Sequence, residues 1–129
     1  MIQPSELLVA KLLPTIRARL AQVLLEKYDM KQIEVARALG ITQAAVSHYN
    51  TRVRGLDHDI IRRFPEIDGF VEGLADQIHD GIDRTEQIAL VNAFCVNLMA
   101  TQRFCDYHKK SASIDPTCSV CFPLEPPRP

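Results

Sequence analysis

The sequence predicts an all-α fold, and three observations predict it. Apolar residues recur at three- and four-residue spacing through most of the chain as far as Arg103. No stretch alternates apolar and polar residues as a half-buried strand does. Pro14, Gly40 and Pro65 fall where helices would end or restart.

The elements follow in order. Ser5, with Pro4 before it, caps a first helix over 5–13 (SELLVAKLL). Pro14 breaks or restarts it, because proline lacks a backbone donor and restricts Leu13. From Pro14 to Tyr28, Ile16, Leu20, Val23 and Leu24 form one stripe opposite Arg17, Arg19, Gln22 and Glu26. Two short helices near 31–39 and 43–51 are joined at Gly40, a left-handed cap, with Thr42 capping the second. A loop leads to a short helix near 58–64. After Pro65, residues 70–82 put Phe70, Val71, Leu74, Ala75, Ile78 and Ile82 on one face. A long helix over about 84–103 carries Ile88, Val91, Cys95, Leu98, Met99 and Gln102 at helical spacing. Beyond it the period stops. Five of the eight prolines fall in the last 14 residues, which predicts an irregular tail. The expected division is a first domain over 1–64, a helical segment over 65–104 suited to dimerisation and an irregular cysteine-rich tail over 105–129.

The chain has 129 residues, 47% apolar and 24% charged, as a folded domain requires. No apolar run approaches the ~20 residues of a membrane span, and no signal-peptide pattern opens the chain. The expectation is a cytoplasmic protein with no membrane partner. The net charge of −1 hides an asymmetry. Residues 1–64 hold ten Lys/Arg and six Asp/Glu, whereas 65–129 hold five and ten. A basic half beside an acidic one suits a DNA-reading module joined to something else. The acids from Glu66 to Glu86 read as the solvated face of a helix pair, with a magnesium site as the sharper alternative.

Residues 32–51 carry the main functional reading. With Gln32 as the first position of a twenty-residue window, Ala36 is fifth, Gly40 ninth, Ile41 tenth, Val46 fifteenth and Tyr49 eighteenth. A helix-turn-helix makes a demand at each. A small residue lets the helices cross closely, a glycine turns the chain, and apolar plugs fill the shared core with Val35 and Leu39. Outward on the second helix this leaves Thr42, Gln43, Ala44, Ser47 and His48. Gln43 suits adenine, Ser47 several bases and Ala44 the thymine methyl. Gln32, Thr42, Arg52 and Arg54 are placed for phosphates.

The stretch KQIEVARALGITQAAVSHYNTRVRG resembles the Cro/C1 (XRE-type) family of helix-turn-helix regulators over roughly residues 14–64. The whole layout is similar to short prokaryotic, largely archaeal, regulators with a C-terminal cysteine-bearing segment. The resemblance implies a lambda-repressor-like bundle of four or five helices. It also implies binding as a homodimer to a near-palindromic double-stranded operator.

The cysteines are spaced Cys95-x9-Cys105-x12-Cys118-x2-Cys121. The C-x2-C pair can present two thiolates to one metal with little strain. Three readings stand. Cys95, Cys105, Cys118 and Cys121 hold a 4Fe-4S or 2Fe-2S cluster that senses redox state or iron. Alternatively, Cys105, His108, Cys118 and Cys121 hold a structural zinc, with Cys95 a small core residue. In the third, the thiols are unligated. Pro123 after Cys121 resembles cluster-binding loops, and a regulator needs an input that no other segment provides. No nucleophile–base arrangement and no phosphate-cradling glycine loop supports catalysis, so no enzyme activity is expected. The competing function is a protein–protein adaptor with a zinc-bound tail.

Overall fold

Proline within the second turn of a helix usually ends it, yet the first helical run here is unbroken from Pro4 to Lys27. The computed structural model describes residues 1–52, 58–115 and 117–118. Helix α1 (Pro4–Leu7) leads into a π-helical stretch, Leu8–Leu12, and then directly into α2 (Leu13–Lys27). Widening the turn by one residue moves the Pro14 ring off the carbonyl it would strike in an α-helix. The Thr15 hydroxyl donates to the Lys11 carbonyl at 2.8 Å. The start of α1 also differs from the Ser5 cap predicted. Gln3 is the cap, and its backbone N–H donates to the Glu6 carboxylate at 3.3 Å, with Pro4 opening the helix.

Helices α3 (Gln32–Leu39) and α4 (Gln43–Arg52) follow. Gly40 is left-handed at φ 68°, and the Ile41 N–H closes the end of α3 on the Ala36 carbonyl at 3.0 Å. The Thr42 hydroxyl accepts from the Ala45 N–H at 3.1 Å, as predicted for the cap of α4. Next come α5 (His58–Arg63), α6 (Glu66–His79) and α7 (Arg84–Met99), the last capped by Asp83 on the Glu86 N–H at 2.8 Å.

The C-terminal part departs from expectation. The long helix stops at Met99, and after a 74° bend α8 (Gln102–Ala112) occupies residues read as tail. Thr101 makes the corner. Its hydroxyl donates to the Leu98 carbonyl at 2.7 Å and accepts from the Phe104 N–H at 3.2 Å. Phe104, Cys105 and His108 then lie on one buried face, with Arg103, Asp106 and Lys110 outward. Counting only aliphatic and aromatic residues hid this period, because a free cysteine packs as a small hydrophobe.

Helix α2 is the hub, with α6 and α4 packed against it. Its Ile16, Leu20 and Leu24 are buried, as the stripe predicts. The buried cluster runs from Leu7 to Phe104, across the expected boundary at 64/65, and Tyr107 packs against it from beyond 104/105. Phe64 joins the segments. Its ring lies 6.1 Å from that of Phe104 and meets Tyr107 edge-on at 5.8 Å. Phe70 of α6 stacks on Phe94 of α7 at 4.1 Å. Burying each such side chain stabilises the fold by about 1.5–3 kcal/mol before entropy is counted. No strand occurs among the described residues, and no single helix there is long and apolar enough to cross a membrane.

Candidate nucleic-acid interface

The predicted reading face lies on α4, which is held from below. Val46 is fully buried, Ala36 5% exposed and Val35 buried, while Leu39, Ile41 and Tyr49 pack half-buried around them. That packing turns the other side of α4 outward. Thr42, Gln43, Ala44 and His48 are exposed, and Ser47 and Gln32 are half-buried. The Thr42 oxygen is occupied as a cap acceptor, and its hydroxyl hydrogen remains available to a phosphate oxygen. The Arg52 side chain and the whole of Arg54 lie outside the described residues.

Two residues that the sequence reading passed over fix the unit to the rest of the chain. Arg84 Nη2 donates to the Arg37 carbonyl at 3.1 Å, and Gln87 Nε2 donates to the Ala38 carbonyl at 3.1 Å. Gln87 meets a carbonyl at the open end of α3, while Arg84 adds a second donor to the Arg37 carbonyl, which also accepts from the Gly40 N–H at 3.4 Å; the guanidinium suits the negative end of the helix dipole. Their partners are backbone atoms, so no complementary side chain betrays them. The Arg84 guanidinium lies over Gly40, where a Cβ would come within 2.5 Å of it.

The charge asymmetry has a different structural outcome from the one predicted. Acids of α6 clasp cations of α2 instead of facing only solvent. Arg19 pairs with Asp68 at 3.1 Å, and Lys27 with Asp76 at 2.9 Å and Glu72 at 3.7 Å. Tyr28 also donates to Asp76. Those bonds from Tyr28 and Lys27 hold the Asp76 carboxyl below its usual range. Glu66 takes Arg103 from α8 in two bonds. Arg19 and Lys27 of the basic half are therefore neutralised from α6. On α3 and just before it, Lys31 and Arg37 are exposed and form no ion pair among the described residues.

Cys95 and Cys105 face different cavities. Cys95 is buried on α7, and desolvation pushes its thiol above the ordinary range. It lines a cavity between α2, α4 and α7. Cys105 lines a different one, of about 260 Å³, together with His108 one turn on. His108 Nε2 lies 2.7 Å from the Ile2 carbonyl. A carbonyl only accepts, so Nε2 is the donor of this bond. Cys118 is half-buried after α8, and Cys121 lies outside the described residues. No three His, Cys, Asp or Glu side chains converge among the described residues. Asp76 is tied to Lys27 and Tyr28, Asp68 to Arg19, and Glu66 to Arg103, so these acids of α6 are used in packing α2 and α8.

No protein-family model, curated protein or solved structure matches this chain.

Proposed function

We propose that this protein is a sequence-specific DNA-binding transcription regulator, without enzymatic activity, that acts as a homodimer. The observation that carries the reading is the two-sided character of α4. Its inward residues and the Gly40 turn meet the demands of a helix-turn-helix, while Gln43, Ala44 and His48 stand exposed on one face behind a capped N-terminus. A helix so presented can enter a major groove, with Gln43 reading a base edge and the α4 amides and Thr42 meeting phosphate. Val96 leaves apolar surface on α7, 56% exposed, which a second copy would cover. Two copies would read half-sites about one helical turn apart.

The four-cysteine iron–sulfur set is the less supported metal reading, because Cys95 and Cys105 open onto different cavities. The zinc alternative has a specific support. Cys105 and His108 share one cavity, and the His108 bond to a backbone carbonyl is the outer contact that orients metal-bound imidazoles. Cys118 and Cys121 would complete that set, and the ion would pin the chain after α8 to α8 itself.

Selection from random-sequence duplexes, followed by gel shift, tests the regulator reading. One motif should be enriched, and Gln43→Ala should lose about 1–3 kcal/mol of discrimination at one base pair of it. Failure to enrich any motif would leave the adaptor function in its place.

A further inference from the structure

The cavity that Cys95 faces measures about 520 Å³, within the range of about 300–1,000 Å³ typical of small-molecule sites. Its floor is apolar, formed by Ile16 and Leu20 of α2 with Val91 and Cys95 of α7. Leu39 and Tyr49 bring in the α3–α4 pair. Two arginines, Arg17 and Arg84, stand in the lining, and no Asp or Glu does among the described residues. That is notable where α7 follows a segment rich in acids, and where Arg19 and Lys27 of α2 and Arg103 of α8 are each paired with a carboxylate. Arg17 is exposed and forms no ion pair among the described residues. Arg84 uses Nη2 on the Arg37 carbonyl, and it forms no ion pair among the described residues. An apolar floor with cations and no anion selects its own ligand chemistry.

We propose that this cavity binds an amphipathic monoanion, a carboxylic acid with a medium-length apolar body, its tail over Ile16, Leu20 and Val91 and its head at Arg17 and Arg84. Because Leu39, Gly40 and Tyr49 wall one side and α7 the other, an occupant joins the reading pair to the C-terminal half. The effect of that join on DNA rests on the regulator reading, whereas binding itself does not.

Decanoate, kept below its micelle concentration, is the probe, and titration calorimetry on the full chain is the assay. Saturable uptake of one decanoate per chain is expected. The uncharged decanamide should bind about tenfold more weakly, a difference of about 1.4 kcal/mol. Arg17→Gln should weaken decanoate by a similar factor with an unchanged melting temperature. Val91→Trp should fill the cavity and abolish uptake; should that variant not fold, the amide and Arg17→Gln still decide. No saturable heat, equal binding of acid and amide, or indifference to Arg17→Gln overturns the proposal. Uptake that disappears as the chain self-associates also overturns it, since a second copy would then be the occupant. Decanoate binding by a protein that enriches no DNA motif would keep the cavity and remove the regulator reading.

Discussion

Gly40→Ala is expected to destabilise the protein by about 2 kcal/mol, in two separable parts. Gly40 holds φ 68°, and placing alanine in the left-handed region costs about 1 kcal/mol. The new Cβ would then stand 2.5 Å from Arg84 Nε and 2.7 Å from its Cζ, closer than real contacts allow. The guanidinium must swing away, and its 3.1 Å bond to the Arg37 carbonyl is lost. That bond is charge-assisted but exposed, so it contributes about 1 kcal/mol after solvent screening. In an Arg84→Ala background, only the backbone part should remain. Urea unfolding followed by circular dichroism of wild type, both single variants and the double variant completes the cycle. A coupling of about 1 kcal/mol is expected, with a fall of about 3–5 °C in Tm for each kcal/mol lost. Equal costs of Gly40→Ala in both backgrounds would show that Arg84 does not rest on the turn. No cost in either would show that the turn needs no left-handed residue.

Three further outcomes follow from the packing and the charges. Phe104→Ala should cost about 3–5 kcal/mol in the same assay, since the ring is 2% exposed against Phe64; a loss below about 1 kcal/mol would mean that α8 is not docked. Asp76 has a depressed carboxyl pKa, so its contribution is present above the ordinary carboxyl range near about 4 and lost as pH falls through the lower folded value. Acidification from pH 5 to pH 2 should therefore lower the urea midpoint less in Asp76→Asn than in wild type, and parallel curves would refute the pairing. Elemental analysis of anaerobically purified protein should find metal content unchanged in Cys95→Ala and lost in Cys105→Ala; loss in Cys95→Ala would restore the four-cysteine set.

The elements most legible in the sequence were those whose logic is local. The Gly40 turn, the Thr42 cap and the α2 stripe each depend on residues within one or two turns, and each stands where its spacing implies. Pro14 was legible as a disturbance but not as a π-helical one, because whether a turn breaks or widens depends on the packing of Leu7 and Leu12 on either side. Helix α8 was obscured by its composition, since cysteine and histidine supply two of its three buried positions. Ile88 fits the apolar period of α7 but is exposed, because that helix is apolar around much of its circumference and period alone cannot choose a face. Of the candidate site, the outward face of α4 was readable. The pairing of α2 with α6 was not, because ion pairs between residues 49 apart leave no local pattern. The cysteine spacing was compatible with convergence of all four, yet Cys95 and Cys105 sit on opposite sides of a 74° bend that no spacing rule encodes.

The contacts of Arg84 and Gln87 with the end of α3 bear on how such a chain can be recombined. A helix pair whose last turn takes donors from residues more than forty positions downstream is not a cassette that ends at Pro65. Grafting residues 1–64 onto another body would remove those donors and expose the faces of α2 that α6 covers. If α4 reads DNA as proposed, its specificity should be exchanged by replacing only its outward positions, with everything that supports them inherited intact.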